Sequence, residues 1–290
     1  MNFETAYTTY RPLLHSIAYR MLGSFSEAED MVQDVFADYS RLDASDISNE
    51  KAYLVRMVTN RSLNLNQSAR KRREVYTGQW LPEPDVTTIK QDPAELYDLH
   101  ESVSYALLVM LEQLSAVERA VFILRESLQY DYEEIAACLQ KSEANCRKIY
   151  SRAKEKLQKE RNLLPVNSEK AQPLAITFIE AAATGNFDKL ISLLTEEAVL
   201  VSDGGGKVRA AIFAIISRDR VIAFLQGVIP KTFLGDSHKF AIVNGQFGII
   251  IIKDGKPRSV ISFRLDESEQ KVERIYVMLN PDKLQHVRLD

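Results

Sequence analysis

Cysteine, tryptophan and glycine are scarce in this chain of 290 residues, with 2 Cys, 1 Trp and 11 Gly. The two cysteines, Cys138 and Cys146, are too few for a disulfide framework and fit a reducing compartment. They lack a CxxC or histidine partner at ligand spacing, so no metal site is expected. No apolar run approaches the roughly 20 residues of a membrane span; a run such as 247–252 suits one buried strand. The first ten residues hold Glu4 and no apolar core, which predicts no secretory signal and a cytoplasmic protein. The Walker, Rossmann, HExxH and GxSxG patterns are missing. We therefore expect no catalytic residues, no cofactor and no enzyme.

An excess of positive charge is also lacking, since the net charge is −3. The charge is nevertheless polarised. Residues 92–134 carry ten acidic side chains against Arg119 and Arg125, whereas residues 141–161 carry eight basic against three acidic. A polarised module can present one positive face to DNA within an acidic chain, although a solvated amphipathic helix has the same charge pattern.

Residues 1–75 read as helices. Phe3, Tyr7, Tyr10, Leu14, Ile17 and Met21 recur at helical spacing until Gly23. Ser26 and Glu29 form a capping-box pattern ahead of a second helix to about Tyr39. Asn49 is placed to cap a third, with Ala52, Val55, Met57, Val58, Leu63 and Leu65 inside. Residues 76–93, with Gly78, Pro82, Pro84 and Pro93, read as a linker. Asp92 is placed to cap a second helical block, 94–161. That block ends in a short helix after Asp131, a turn near Gln140 and a basic helix capped by Ser142, the helix-turn-helix layout. Residues 162–170 read as another linker. In 171–290 two helices precede strands expected at 197–202, 207–214, 238–243, 246–252, 258–266 and 271–279, an α+β domain.

Three runs carry a resemblance: Tyr10-Arg11-Pro12-Leu13-Leu14, Ala18-Tyr19-Arg20-Met21-Leu22-Gly23, and Glu27-Ala28-Glu29-Asp30-Met31-Val32-Gln33-Asp34-Val35-Phe36. They resemble the start of extracytoplasmic-function sigma factors, and Ala52-Tyr53-Leu54-Val55-Arg56 continues the likeness. Residues 111–157 resemble the second DNA-binding domain of that family. Trp80-Leu81-Pro82-Glu83-Pro84, Asp203-Gly204-Gly205-Gly206 and Asn280-Pro281-Asp282-Lys283-Leu284 resemble the subgroup fused to a C-terminal SnoaL-like, NTF2-like domain. The resemblance implies a multidomain chain. Sigma domain 2 spans 1–75 and sigma domain 4, with its helix-turn-helix, spans 94–161; both are all-α. An NTF2-like cone spans 171–290.

It also implies partners: core RNA polymerase and promoter DNA, with no membrane and no dedicated anti-sigma factor. Asp30, Gln33, Asp34, Phe36 and Asp38 are expected to dock on polymerase, apolar area and carboxylates together suiting a protein interface. A helix-dipole preference accounts for acids at 27–30 but not for Asp34 and Asp38. Arg56, Asn60, Arg61, Asn64, Arg70, Lys71, Arg72 and Arg73 are expected at the minus-ten element, where cations meet phosphates and amides read exposed bases. A basic helix end has the same composition for dipole reasons. Ser142, Glu143, Asn145, Arg147, Lys148, Ser151 and Arg152 are expected at the minus-thirty-five element. Ile149, Ala153 and Leu157 should face the core, and Cys146 reads as a small buried residue.

Trp80, Leu81, Pro82, Asp203, Gly204, Gly205 and Gly206 form an expected interdomain contact of regulatory role. Three glycines remove every Cβ and permit close approach, although a hairpin turn would use them equally. SnoaL-like enzymes use an Asp–His pair or a lone Asp, for which Asp203, Asp236 and His238 are the available groups, though a surface turn is the default for His238. The alternative function is a ligand-sensing DNA-binding regulator or pocket enzyme fused to a helix-turn-helix. It gives no use to a second basic helix behind an acidic one.

Overall fold

The computed structural model describes residues 3–42, 47–74, 76–88, 104–158, 171–228 and 235–289, the side chains of 67–74, 88 and 158 excepted. Two compact units divide the chain: residues 1–75 with 110–161, and residues 76–109 with 162–290. The expected cap at Asp92 lies outside the described residues.

The first unit is helical. α1 spans Phe3–Leu22, α2 Phe25–Tyr39 and α3 Glu50–Glu74. Gly23 ends α1 by taking φ +68. The cap of α2 is Ser24, not Ser26: its extended backbone turns its hydroxyl onto the Glu27 amide at 3.2 Å. Asn49 caps α3 through the Ala52 amide at 3.0 Å, as its sequence position suggests. The interior of α3 differs from the expected set. Leu54, Val55 and Val58 are buried with Thr59, Ser62 and Asn66, whereas Ala52 is exposed.

After α4 (Tyr105–Leu111), which begins in the second unit, the helical block resumes with α5 Ala116–Glu126, α6 Tyr132–Leu139 and α7 Glu143–Gln158. Capping boxes at Ser115/Glu118 and Asp131/Glu134 start α5 and α6, each cap contributing about 1 kcal/mol. Gln140 takes φ 51 and closes α6, so the turn to α7 is tight. The helix-turn-helix layout is therefore present.

The second unit is α+β. α8 (Gln172–Thr184), α9 (Asp188–Leu193) and α10 (Arg218–Val228) pack on one face of a seven-stranded sheet. The strands are β1 Val86–Thr88, β2 Leu194–Asp203, β3 Ile215–Ile216, β4 Ser237–Val243, β5 Gln246–Lys253, β6 Lys256–Leu265 and β7 Val272–Met278, in the order β1-β4-β5-β6-β7-β2-β3. All pairings are antiparallel except β2 with β7. Leu81, Tyr105, Ala106, Leu284 and Val287 cover part of the other face. Burial on both faces explains why β5 reads as a continuous apolar run rather than an alternating one.

Three elements depart from the sequence expectations. β1 arises from the span read as a linker and pairs with β4, Val86 opposite Val243. α10 was not anticipated. Residues 207–214 form no strand: the amide of Val208 returns to the Gly204 carbonyl, and only Ile215–Ile216 pairs with β2.

Candidate nucleic-acid interface and linker-docking site

On α2, Asp30, Gln33 and Asp34 are exposed along one side. Asp38 is half-buried and engaged, forming ion pairs with Arg61 and with Arg41 at 3.3 Å. Phe36 is a core residue, not a surface one. It is 2 % exposed and set against Tyr7 and Phe3, because it follows Val35 on the apolar side of the helix.

On α3, Arg56, Asn60 and Asn64 recur four apart, placing them along one helix face. Arg56 lies 5.7 Å from the Tyr53 ring centre. Asn60 donates to the Cys138 carbonyl of α6 at 3.3 Å, so α3 packs against the first helix of the helix-turn-helix. Arg61 is held by Asp38. The side chains of Arg70, Lys71, Arg72 and Arg73 lie outside the described residues.

α7 divides cleanly. Cys146, Ala153 and Leu157 are fully buried and Ile149 is half-buried, while Ser142, Glu143, Asn145, Arg147, Lys148, Ser151 and Arg152 are exposed. The Ser142 hydroxyl accepts from the Asn145 amide at 3.3 Å. Arg147 pairs with Glu143 at 3.2 Å and lies 4.3 Å from the Tyr132 ring centre. An exposed pair of this kind contributes about 0–1 kcal/mol, so a phosphate can displace it.

Burial pushes the Cys138 thiol up to about 11, and it raises that of Cys146 as well. Thiolate is the reactive form. The native chain at pH 8 should therefore resist iodoacetamide at both cysteines and take up two equivalents once unfolded, as read by intact-mass measurement. Rapid alkylation of the folded chain would place a thiol at the surface.

The second unit holds a denser site. Asp203, at the end of β2, is fully buried. One carboxylate oxygen accepts from the Tyr76 hydroxyl at 2.6 Å and the Gly205 amide at 2.9 Å. The other accepts from the Leu81 amide at 2.9 Å and Lys283 Nζ at 2.8 Å. Lys283 also donates to the Leu81 carbonyl at 2.6 Å and stands 4.0 Å from the Trp80 ring centre, a cation over an aromatic face. Asn280 donates to the Tyr76 hydroxyl at 2.8 Å. Burial, then the adjacent carboxylate, pushes the Tyr76 phenol well above its ordinary range.

The rest of the segment is held along its length. Tyr105 donates to the Pro82 carbonyl at 2.6 Å, the His286 ring lies 2.8 Å from the Pro84 carbonyl, and Asp85 and Asn244 exchange hydrogen bonds. A Cβ on Gly205, which has φ +61, would collide with the Asn280 carboxamide; one on Gly206 would press on Thr77. The glycines thus serve close approach.

Trp80, Leu81, Pro82, Asp203, Gly205 and Gly206 are brought together around this cluster. Gly204 sits in the same loop, where a Cβ would strike the Val208 carbonyl. Tyr76, Asn280 and Lys283 are not among the expected site residues; the run 280–284 is the sequence signal for Asn280 and Lys283, while Tyr76 lies just ahead of the Trp80–Pro84 run. Asp236 and His238 are exposed at the start of β4, and neither they nor Asp203 is among the described residues lining the cavity of this unit.

The Sigma-70 region 2 family model matches residues 6–73 and the Sigma-70, region 4 model matches residues 104–157. The chain is 33% identical over 242 residues to the ECF RNA polymerase sigma factor SigJ of Mycobacterium tuberculosis, covering 82% of this chain and 77% of that one. It is 28% identical to the probable ECF RNA polymerase sigma factor SigI of the same species, over 99% of this chain and 96% of the relative. The crystal structure of Mycobacterium tuberculosis SigJ superposes with a TM-score of 0.77 at 28% identity, covering 99% of both chains.

Proposed function

The chain belongs to the extracytoplasmic-function RNA polymerase sigma factors, and we propose that its reach across a promoter is governed by its own C-terminal domain. As a sigma factor it binds core RNA polymerase, recognises promoter DNA and initiates transcription. Its two helical sigma regions are followed by an NTF2-like domain.

In this reading, residues 1–75 are the polymerase-docking and minus-ten domain, 94–161 the minus-thirty-five domain and 171–290 the regulator. Asp30, Gln33 and Asp34 present carboxylates and an amide to polymerase. Arg56, Asn60, Asn64 and the basic run 70–73 meet the minus-ten strand. Glu143, Asn145, Arg147 and Lys148 enter the major groove, with Ser142, Ser151 and Arg152 toward phosphates. The chain acts by binding rather than by chemistry, in the cytoplasm, where polymerase and promoter are. Among the described residues no helix is long and apolar enough to cross a membrane.

Distance is what makes regulation by the linker effective. The two promoter elements lie roughly 25 base pairs apart, about 85 Å of duplex. A compact unit of about 130 residues has a radius of gyration of about 14 Å, so the packed first unit has to open. Asn60, spent on the Cys138 carbonyl, is freed only by that opening. About 30 residues join the two family regions, and fully extended they reach about 100 Å. With so little slack, fixing 76–88 on the C-terminal sheet withholds part of the needed span. The single observation carrying this reading is the fourfold-bonded Asp203 carboxylate gripping both Tyr76 and Leu81. The fused domain thereby takes the place of a dedicated anti-sigma factor.

The test is association with core polymerase and run-off transcription on genomic fragments. The full chain should bind polymerase and start RNA at defined sites. Reversing the exposed charges with Asp30→Lys and Asp34→Lys should weaken polymerase association by about tenfold or more. Failure of the chain to direct any initiation overturns the transcription role. Unchanged association of the double variant overturns the docking face.

A further inference from the structure

A cavity of about 500 Å³ opens into the C-terminal unit, within the roughly 300–1,000 Å³ of small-molecule sites. Leu200 of β2, Val277 of β7 and Phe224 of α10 give it apolar walls. Its polar lining is of the opposite character. Arg209, Lys253 and Arg258 are gathered there with a single carboxylate, Asp254. None of the three cations is paired with a carboxylate among the described residues.

Arg258 is delivered by an irregularity in the sheet. Pro257 pairs with Ile252 and Ser259 with Ile251, so Arg258 is the extra residue of a bulge between β5 and β6. Bulges re-aim a side chain and occur next to sites. A guanidinium presents a planar fork of donors that matches a carboxylate, sulfonate or phosphate.

We propose that this cavity binds an amphipathic organic anion, a ring-sized apolar body carrying one oxyanion, with the body against Leu200, Phe224 and Val277 and the oxyanion on Arg258 and Arg209. The apolar walls supply burial area, and their low polarity strengthens the charge pairing beside them. The proposal goes beyond the transcription role and does not depend on it.

The experiment compares two dyes on the full chain by fluorescence titration: 8-anilinonaphthalene-1-sulfonate and its uncharged relative N-phenyl-1-naphthylamine. Both should bind at one site and displace each other. Losing one charge-assisted contact in Arg258→Gln should weaken the sulfonate by about tenfold and leave the neutral dye unchanged. The control is Phe213→Ser, which removes a 78 % exposed apolar side chain that does not line the cavity; both affinities should persist. The proposal is overturned if Arg258→Gln leaves the sulfonate affinity intact, or if Phe213→Ser abolishes binding and so places the dyes on the outer surface.

Discussion

Asp203→Ala is expected to cost the C-terminal unit about 3–5 kcal/mol, the range for removing one partner of a buried ion pair. Lys283 keeps only 10 % side-chain exposure, so its ammonium would be left buried beside the Leu81 carbonyl with its carboxylate partner removed. The Tyr76 hydroxyl and the amides of Leu81 and Gly205 lose their acceptor in the same step. For a unit of this size the loss lowers the melting temperature by about 10 °C. The local effect is more telling. Val86, Thr87 and Thr88 are anchored just beyond the cluster, so their amides should exchange with solvent much faster in the variant. Asp203→Asn keeps the shape while removing the charge and should fall between. If exchange at 86–88 is unaltered while the unit is destabilised, the carboxylate supports the fold without holding the linker. The same variant is the sharpest probe of regulation, since promoter output should change with linker release at constant chain composition.

The second large effect is expected at Arg119. Its side chain is 2 % exposed and donates through one nitrogen to the Met21 carbonyl at 2.8 Å and to Glu112 at 2.7 Å. It thereby ties α5 to the C-terminal end of α1 across 98 positions of sequence. Arg119→Ala takes the guanidinium away from a largely buried carboxylate and leaves the Met21 carbonyl to the Asn66 carboxamide at 2.8 Å, and breaking the buried ion pair again costs about 3–5 kcal/mol. Lysine offers a shorter, single-headed donor, so Arg119→Lys should recover only part. Urea denaturation of the full chain gives the stability change, and small-angle scattering should report a larger radius of gyration as the helical unit loosens. A variant as stable and as compact as the parent would show that other contacts hold α5 against α1.

Much of the helical half was legible because its signals are local. α7 announces itself through Ser142 and the recurrence of buried Cys146, Ala153 and Leu157 with half-buried Ile149 within one helix. The layout around Asp131 and Gln140 is equally short-range. Phe36 is the exception on α2. Its apolar character suits the contact area of an interface as well as a core, and only its packing against Phe3 and Tyr7, set by the neighbouring helix, places it inside.

The linker site was legible only in part, since its partners are remote. Tyr76 and Asn280 are separated by 204 positions, and Leu81 and Lys283 by 202. No periodicity spans such gaps, and a three-residue strand such as β1 leaves no pattern of its own. The stretch 207–214 misled in the other direction. Its apolar composition suits a strand, yet Ile212 and Phe213 remain 58 % and 78 % exposed: the backbone turns back on Gly204, and the Ala211 amide meets the Ser202 hydroxyl rather than a strand carbonyl.

The place of β1 at the margin of the sheet carries a further consequence. While it is seated, the hydrogen-bonding rim of β4 from Ala241 to Val243 is capped. Once it departs, that rim is left with unmet amides and carbonyls, a template for a strand from a second molecule. An activated population at high concentration should therefore be prone to exchange segments between chains, and rapid recapture of its own strand would protect each molecule from its neighbours.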